Sequence, residues 1–392
     1  MMYRCVVSLL LLAVTAHAKA DDVVAPTPVE ALVWLEHDFF GQLDTRYGAI
    51  QQAYRDHRIS DEDLRAAFRV FYATDKSFEA HYAAWVARSP RSYAAHLARG
   101  IYYKKVGAER RGGEFFNQTT PEQIDGMEAA YKVAAMEFSA SIALDEKPLL
   151  TYLHSIDLAM SSGDKAQARH WLDRAIAIDP DNFIVREKYM SALQSRWLGS
   201  VKEMKAFLVE CRKAHLSPAH LNALKALEVS DEAWVHKYRD GDLPAAVRAY
   251  GKAARLNPST SCVPCGPISQ MADVLTTEKK YSLAAKQYSR VLELNPNDAH
   301  ALDGRAFAEL QVSRPLEAVA DFVRAGNLGD AYAQDMLGRM YLLGTSVPVD
   351  RDKAIFWLQK AASQGYAPAQ ELLPIALDKS RSLLPLPGAP KL

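Results

Sequence analysis

The sequence predicts an all-α protein built from stacked antiparallel helix pairs, and three observations carry that prediction. First, a triplet recurs: Ala, a large residue four positions on, and a smaller one three further. It stands at Ala134/Phe138/Ser141, Ala168/Leu172/Ala175, Ala246/Tyr250/Ala253, Ala284/Tyr288/Val291 and Ala318/Phe322/Ala325. Second, the first two triplets (134 to 168) and the last two (284 to 318) are each 34 residues apart, and Pro180, Pro258 and Pro296 follow three of the five at a fixed offset. Third, the chain shows no strand pattern. Offsets of four and three put each triplet on one helix face. The small Ala lets the two helices of a pair approach closely, and the bulky member fills the gap between pairs. Asp-Pro or Asn-Pro then ends the second helix.

The elements follow from the N-terminus. Residues 1–20 carry Arg4, an apolar run from Cys5 to Val14, and "TAHAKA". That is the three-part pattern of a secretory signal peptide, cleaved after Ala18 or Ala20. The run is shorter than the roughly 18 residues a bilayer span requires. No later stretch is long enough, so the chain is expected to be exported to the periplasm or cell envelope, with no integral membrane segment after cleavage. The whole chain has 47 basic and 47 acidic residues, and loss of Arg4 and Lys19 leaves 45 against 47. That balance favours neither nucleic acid nor an anionic membrane.

Residues 21–115 read as an irregular helical region. In "ISDEDLRAAFRVFYATD", Ser60 and Asp63 fit a capping box loosely, and Leu64, Ala67, Phe68 and Phe71 form an apolar stripe. Asp61-Glu62-Asp63 complements the helix dipole better than it suggests a carboxylate site. "LARGIYYKKVG" resembles the first helix of a tetratricopeptide repeat, with Gly100 and Tyr103 in the expected roles. "AERRGGEFFNQTTP" then reads as a long break, and Asn117-Gln-Thr119 matches a glycosylation sequon. Residues 116–330 hold the triplets. Between Ala168 and Ala246 lie 78 residues, two periods and about ten more, with "SRWLGSVKEMKAFLVEC" in the degenerate repeat. Trp197 is expected in the core there.

With its period and its Ala, aromatic, Ala and Pro positions, residues 116–330 resemble tetratricopeptide repeats. Residues 331–375 resemble a Sel1-like repeat. Leu337, Gly338, Tyr341, Gly344, Val347, Asp350, Ala354, Trp357, Ala361 and Gly365 stand where that family has them, but Ser346 replaces its usual second Gly. The whole resembles exported bacterial tetratricopeptide-like proteins. The resemblance implies a right-handed superhelical solenoid of helix pairs, with a concave groove lined by the first helix of each pair. Residues 376–392 are a Pro-rich tail expected to lack fixed structure.

Cys262-Val-Pro-Cys265 is the one motif that suggests chemistry. Ala246 to Ala284 is 38 residues, the period plus four, and the excess falls in this stretch, where Pro264 and Gly266-Pro267 indicate a turn. No strand pattern supports a thioredoxin-type motif, Gly266 stands where haem attachment needs His, and no second Cys pair completes a zinc site. In an oxidising compartment Cys262 and Cys265 are expected to form a local disulfide, with redox or metal binding as alternatives. Cys211 follows Phe207 and Leu208 on an apolar face and is expected to be buried. Neither His37, His57, His81 and His96 nor the other histidines show ligand spacing, and no nucleophile elbow, P-loop or dinucleotide fingerprint occurs. No metal or cofactor is expected.

The tetratricopeptide resemblance implies groove positions at Asp157, Asp273, His300, Asp303 and Phe307, a mixture suited to a peptide with basic and apolar residues. The expected function is non-enzymatic protein–protein binding or scaffolding. The rival is a cell-envelope enzyme, a hydrolase or thiol oxidoreductase, sited in the irregular N-terminal third or at Cys262/Cys265. A pocket joining the "AERRGGEFFNQTTP" break to several ionisable residues would favour that rival.

Overall fold

The computed structural model describes residues 25–112, 119–197, 199–257 and 266–378, and every regular element among them is helical. Residues 1–20, expected to be a signal peptide, Asn117, Cys262, Cys265 and the tail beyond Asp378 lie outside the described residues. The chain divides into two compact units, Met1–Ala192 and Leu193–Leu392. Among the described residues, no helix is long and apolar enough to cross a membrane.

The first unit contains α1 (Pro28–Glu36), α2 (Phe40–Arg55), α3 (Asp61–Ala67), a 3₁₀ turn (Phe68–Tyr72), α4 (Phe78–Arg88), α5 (Tyr93–Arg111), α6 (Pro121–Ile142), α7 (Leu149–Ser161), α8 (Lys165–Ile178) and α9 (Ile184–Ala192). Its irregular beginning closes on an aromatic core. The Tyr47 ring lies 4.9 Å from both Phe68 and Phe71, Phe71 lies 5.9 Å from Trp85, and Tyr82 lies 4.8 Å from Tyr102. Asp44 accepts hydrogen bonds from Trp85 Nε1 (2.9 Å), Ser89 Oγ (2.6 Å) and Ser92 Oγ (2.5 Å), so the indole brings no unmet donor into the core.

Ser60 and Asp63 form a complete capping box. Asp63 N donates to Ser60 Oγ at 3.0 Å, and Ser60 N donates to Asp63 Oδ2 at 3.1 Å. Asp61 has a second, distant role. Its Oδ2 accepts Phe183 N (3.1 Å) and Ile184 N (3.2 Å), capping the start of α9.

The "AERRGGEFFNQTTP" reading needs correction. Helix α5 continues through Arg111 and stops only at Gly112, whose φ is 81°. Ala108 to Arg111 are good helix formers, and two terminal arginines complement the helix dipole. Gly100 meets α6 as expected: a Cβ there would come 2.5 Å from Phe138 Cε1.

The second unit opens with a 3₁₀ turn (Ser195–Trp197). It continues with α10 (Val201–Cys211), α11 (Pro218–Val235), α12 (Leu243–Leu256), α13 (Pro267–Thr277), α14 (Tyr281–Leu294), α15 (Ala299–Gln311), α16 (Pro315–Asn327), α17 (Ala331–Leu343), α18 (Arg351–Ser363) and α19 (Ala367–Leu377). Asp242, Asp298, Asp330 and Asp350 cap α12, α15, α17 and α18 through side-chain carboxylates.

All fifteen members of the five triplets are buried, each at 2% exposure or less. Helix α15 accommodates its predecessor at Gly304, where any Cβ would run into the Tyr288 ring. One apolar core extends from Ala233 to Trp357 and includes both Phe322 of the last triplet and Leu337 and Met340 of the Sel1-like stretch. The two repeat types therefore stack on one another within this unit. In the Sel1-like loop Ser346 adopts φ 67°, the left-handed conformation that a Gly would take without strain. Cys211 is buried at 1% exposure, as its apolar face implies. Trp197 corrects its expectation: it is 46% exposed. It sits on a short turn outside the helix faces, anchored by Ser195, whose N and Oγ donate to Asp231 at 2.9 and 2.6 Å.

Candidate functional site

The five groove residues are divided between the two units. Asp157 belongs to the first unit, on α7. Lys104 of α5 contacts its Oδ2, and Lys188 Nζ of α9 lies 3.3 Å from its Oδ1, so one carboxylate ties three helices together. Desolvation by the surrounding protein disfavours charge on Asp157, but the two ammonium groups win and hold its carboxyl well below the usual range. Burial lowers Lys104 to about 8 even though Asp157 supports its charge. His154, one turn before Asp157, is 1% exposed and stacks 6.0 Å from Phe138. Its burial and the neighbouring lysines keep it neutral. Lys104 and Lys188 escaped the sequence reading because a helical Lys is ordinarily a solvated one.

The other four residues lie in the second unit. Asp273 of α13 accepts from Tyr288 Oη at 2.8 Å, and its Oδ1 lies 3.0 Å from His300 Nε2 of α15. The hydrogen bond to Asp273 raises the His300 pKa against partial desolvation. Phe307 packs edge-on against Tyr281, with centroids 6.0 Å apart.

Asp303 is 9% exposed, deeper than a groove-lining position implies, and its Oδ1 has no hydrogen-bond partner among the described residues. Burial, then its contact with the Asp330 carboxyl, pushes its pKa up to about 9. Asp335 of α17 is 3% exposed, with Arg339 Nε on Oδ2 at 2.6 Å and no partner on Oδ1. Tyr332 and Tyr366 border the same carboxylates, whose fields help raise both phenols after burial. Sequence reasoning missed Asp330, Asp335 and the two tyrosines. The signal was there: Asp298…Asp303 and Asp330…Asp335 repeat one spacing at the starts of consecutive first helices.

Among the described residues, no group of three His, Cys, Asp or Glu side chains is arranged to hold a metal ion. An open pocket of about 510 Å³ in the first unit is lined by Asp44, Gln51, Arg55, Arg91 and Asp145, among others. Among the described residues that line it, none lies between 106 and 121.

Paired helices with buried Ala/bulky/small triplets, ending in a Sel1-type pair, define a tetratricopeptide/Sel1-like repeat protein. Residues 331–366 match the Sel1 repeat model. Residues 32–164 and 157–231 match the model of a domain of unknown function, DUF4034. Together those two matches span just over half of the chain, which belongs to the DUF4034 family.

Among solved structures, the chain is similar to a Sel1 repeat protein from Oxalobacter formigenes (17% identity, 92% of this chain and 98% of that one, TM-score 0.41). It is also similar to a protective antigen of uropathogenic Escherichia coli (13% identity, 91% and 84%, TM-score 0.42). A third is a tetratricopeptide repeat protein from Parabacteroides merdae (14% identity, 64% and 94%, TM-score 0.34). No curated protein matches the chain.

Proposed function

We propose that the chain is an exported, non-catalytic repeat protein that binds a peptide or protein partner along the face presented by α13, α15 and α17. The observation that carries this is the row of polar and aromatic side chains which consecutive first helices contribute: Asp273, then His300 with Asp303, then Tyr332. The row is only partly covered, with the His300 side chain 43% exposed. The test is panning of random displayed peptides against the mature protein. Enriched peptides should lose at least about tenfold in affinity, roughly 1.4 kcal/mol, in an Asp273→Ala/His300→Ala variant that keeps its helical circular dichroism. No enrichment, or binding indifferent to that variant, rejects the reading. The extracytoplasmic setting rests on Arg4, the apolar run and "AHAKA". It predicts a native N-terminus at Lys19 or Asp21, and intact Met1 in cytosolic protein would exclude it.

A further inference from the structure

The segment between α4 and α5 forms one wall of the first-unit pocket, which Ser89, Pro90, Arg91 and Ser92 line. It has two anchors. Asp44 accepts the Ser89 and Ser92 hydroxyls, at 2.6 and 2.5 Å. The second anchor is His96, near the start of α5, which reaches back to this segment and across to α6. Its Nδ1 lies 2.6 Å from Glu137 Oε2, and its Nε2 lies 3.2 Å from the Pro90 carbonyl oxygen. A carboxylate and a peptide carbonyl are both acceptors, and a neutral imidazole has only one N–H to give them. Only the doubly protonated ring satisfies both contacts.

The surroundings support that charge. The His96 side chain is 12% exposed and that of Glu137 9%, so water screens the pair little. Hydrogen bonding to Glu137 raises the His96 pKa, against partial desolvation and the repulsion of Arg99. Arg99 Nη1 meanwhile takes the other Glu137 oxygen at 2.6 Å. Among the described residues, Glu137 from α6 and Arg99 from α5 are the charged groups that face the ring, and from the loop it meets the neutral Pro90 carbonyl.

We infer that His96 is a pH-sensitive clamp: its imidazolium ties Pro90 to Glu137, and loss of one proton releases the pocket wall from α6. The remaining N–H can serve only one of the two acceptors. The Asp44 contacts stay, so the wall loosens at Pro90 without leaving the fold. The folded pKa is raised. The clamp is therefore fully closed below about 6.5, the ordinary histidine value, and opens as pH rises through the higher folded value.

Two measurements on the full mature chain test this. Ring nitrogen-15 shifts, assigned through the backbone, should show two N–H groups on His96 at pH 7 and a midpoint above about 6.5. Glu137→Gln should lower that midpoint. Amide hydrogen exchange reads the wall through Ser92 and Ala95, whose N–H groups donate to Ser89 O and Ser92 Oγ. Their protection, corrected for the intrinsic pH dependence of exchange, should fall as pH rises through the His96 midpoint. The fall should be at least about tenfold, on the scale of one hydrogen bond to a charged group. His96→Gln carries no charge at any pH and should hold the lower protection throughout. A single N–H at pH 7, or a midpoint at or below about 6.5, overturns the clamp. Protection that ignores the His96 titration, or that falls equally in His96→Gln, overturns it as well.

Discussion

Asp303 makes a prediction that needs no ligand. Burial, then the Asp330 carboxyl, pushes the Asp303 pKa up to about 9 in the folded chain, against about 3.9 for an unfolded aspartate. Between those values the folded state holds the proton more tightly. The stability linked to this proton is complete below about pH 4 and is lost as pH rises toward 9. Asp303→Asn removes the dependence, so at pH 8 the variant should melt several degrees above the native protein, and the gap should close on approach to pH 4. A variant that melts lower at pH 8 would mean that Asp303 is ionised and satisfied in the fold. Ser346 offers a second test at this scale. At φ 67° it carries the left-handed strain of an L-residue, so Ser346→Gly should stabilise by about 1 kcal/mol in a denaturant titration. The sequence showed the Ser at a Gly position, but whether the loop had kept its left-handed turn could only be seen in the backbone. Trp197 was misjudged because its type says core while its place, on a short turn, decides exposure. Asp61 was read as a local dipole partner because its distant role on α9 links positions 122 apart in the chain.

At the scale of elements the helices were legible because their periodicity is a direct print of packing. Every triplet member named from the sequence is buried. The extent of α5 was not legible: the Gly pair marks where a helix can stop, and the contacts of α5 with α6 carry it as far as that limit. The triplets make the helix contacts testable. Ala284 is 0% exposed, and Ala284→Trp should overpack its site at a cost of about 1–3 kcal/mol. Full stability in that variant would remove the repeat assignment around α14. Gly304 tests the contact between successive pairs. Since a Cβ there runs into the Tyr288 ring, Gly304→Ala should destabilise, and Tyr288→Ala should absorb most of that loss. The two substitutions should therefore combine to less than their sum. Additive effects in a double-mutant cycle would show that the ring and the glycine do not share this space.

At the scale of the whole molecule, the division between Ala192 and Leu193 falls in the stretch where the spacing from Ala168 to Ala246 exceeds two periods by ten residues, between α9, only nine residues long, and the 3₁₀ turn Ser195–Trp197. The candidate site was half legible. Asp303, Asp273 and His300 could be named because the tetratricopeptide resemblance implies which first-helix positions face the groove. The Asp330 carboxyl, which helps raise the Asp303 pKa, belongs to the next pair, which no single repeat displays.

The Cys262–Cys265 pair belongs to this scale as well, because its meaning depends on the compartment and on what brackets it. It lies between α12, ending at Leu256, and α13, starting at Pro267, whose Ile268 is buried at 1% exposure. A bond closing a loop of only four residues would remove little unfolded-state entropy. Cys262→Ser/Cys265→Ser should therefore leave the helical circular dichroism and the melting temperature nearly unchanged. A redox role demands an accessible thiolate of lowered pKa and a reduction potential in the oxidoreductase range. Purified mature protein should show no turnover in a disulfide-reduction assay. Turnover that vanishes in the double variant would place the chemistry at Cys262 and Cys265 and make the protein an enzyme.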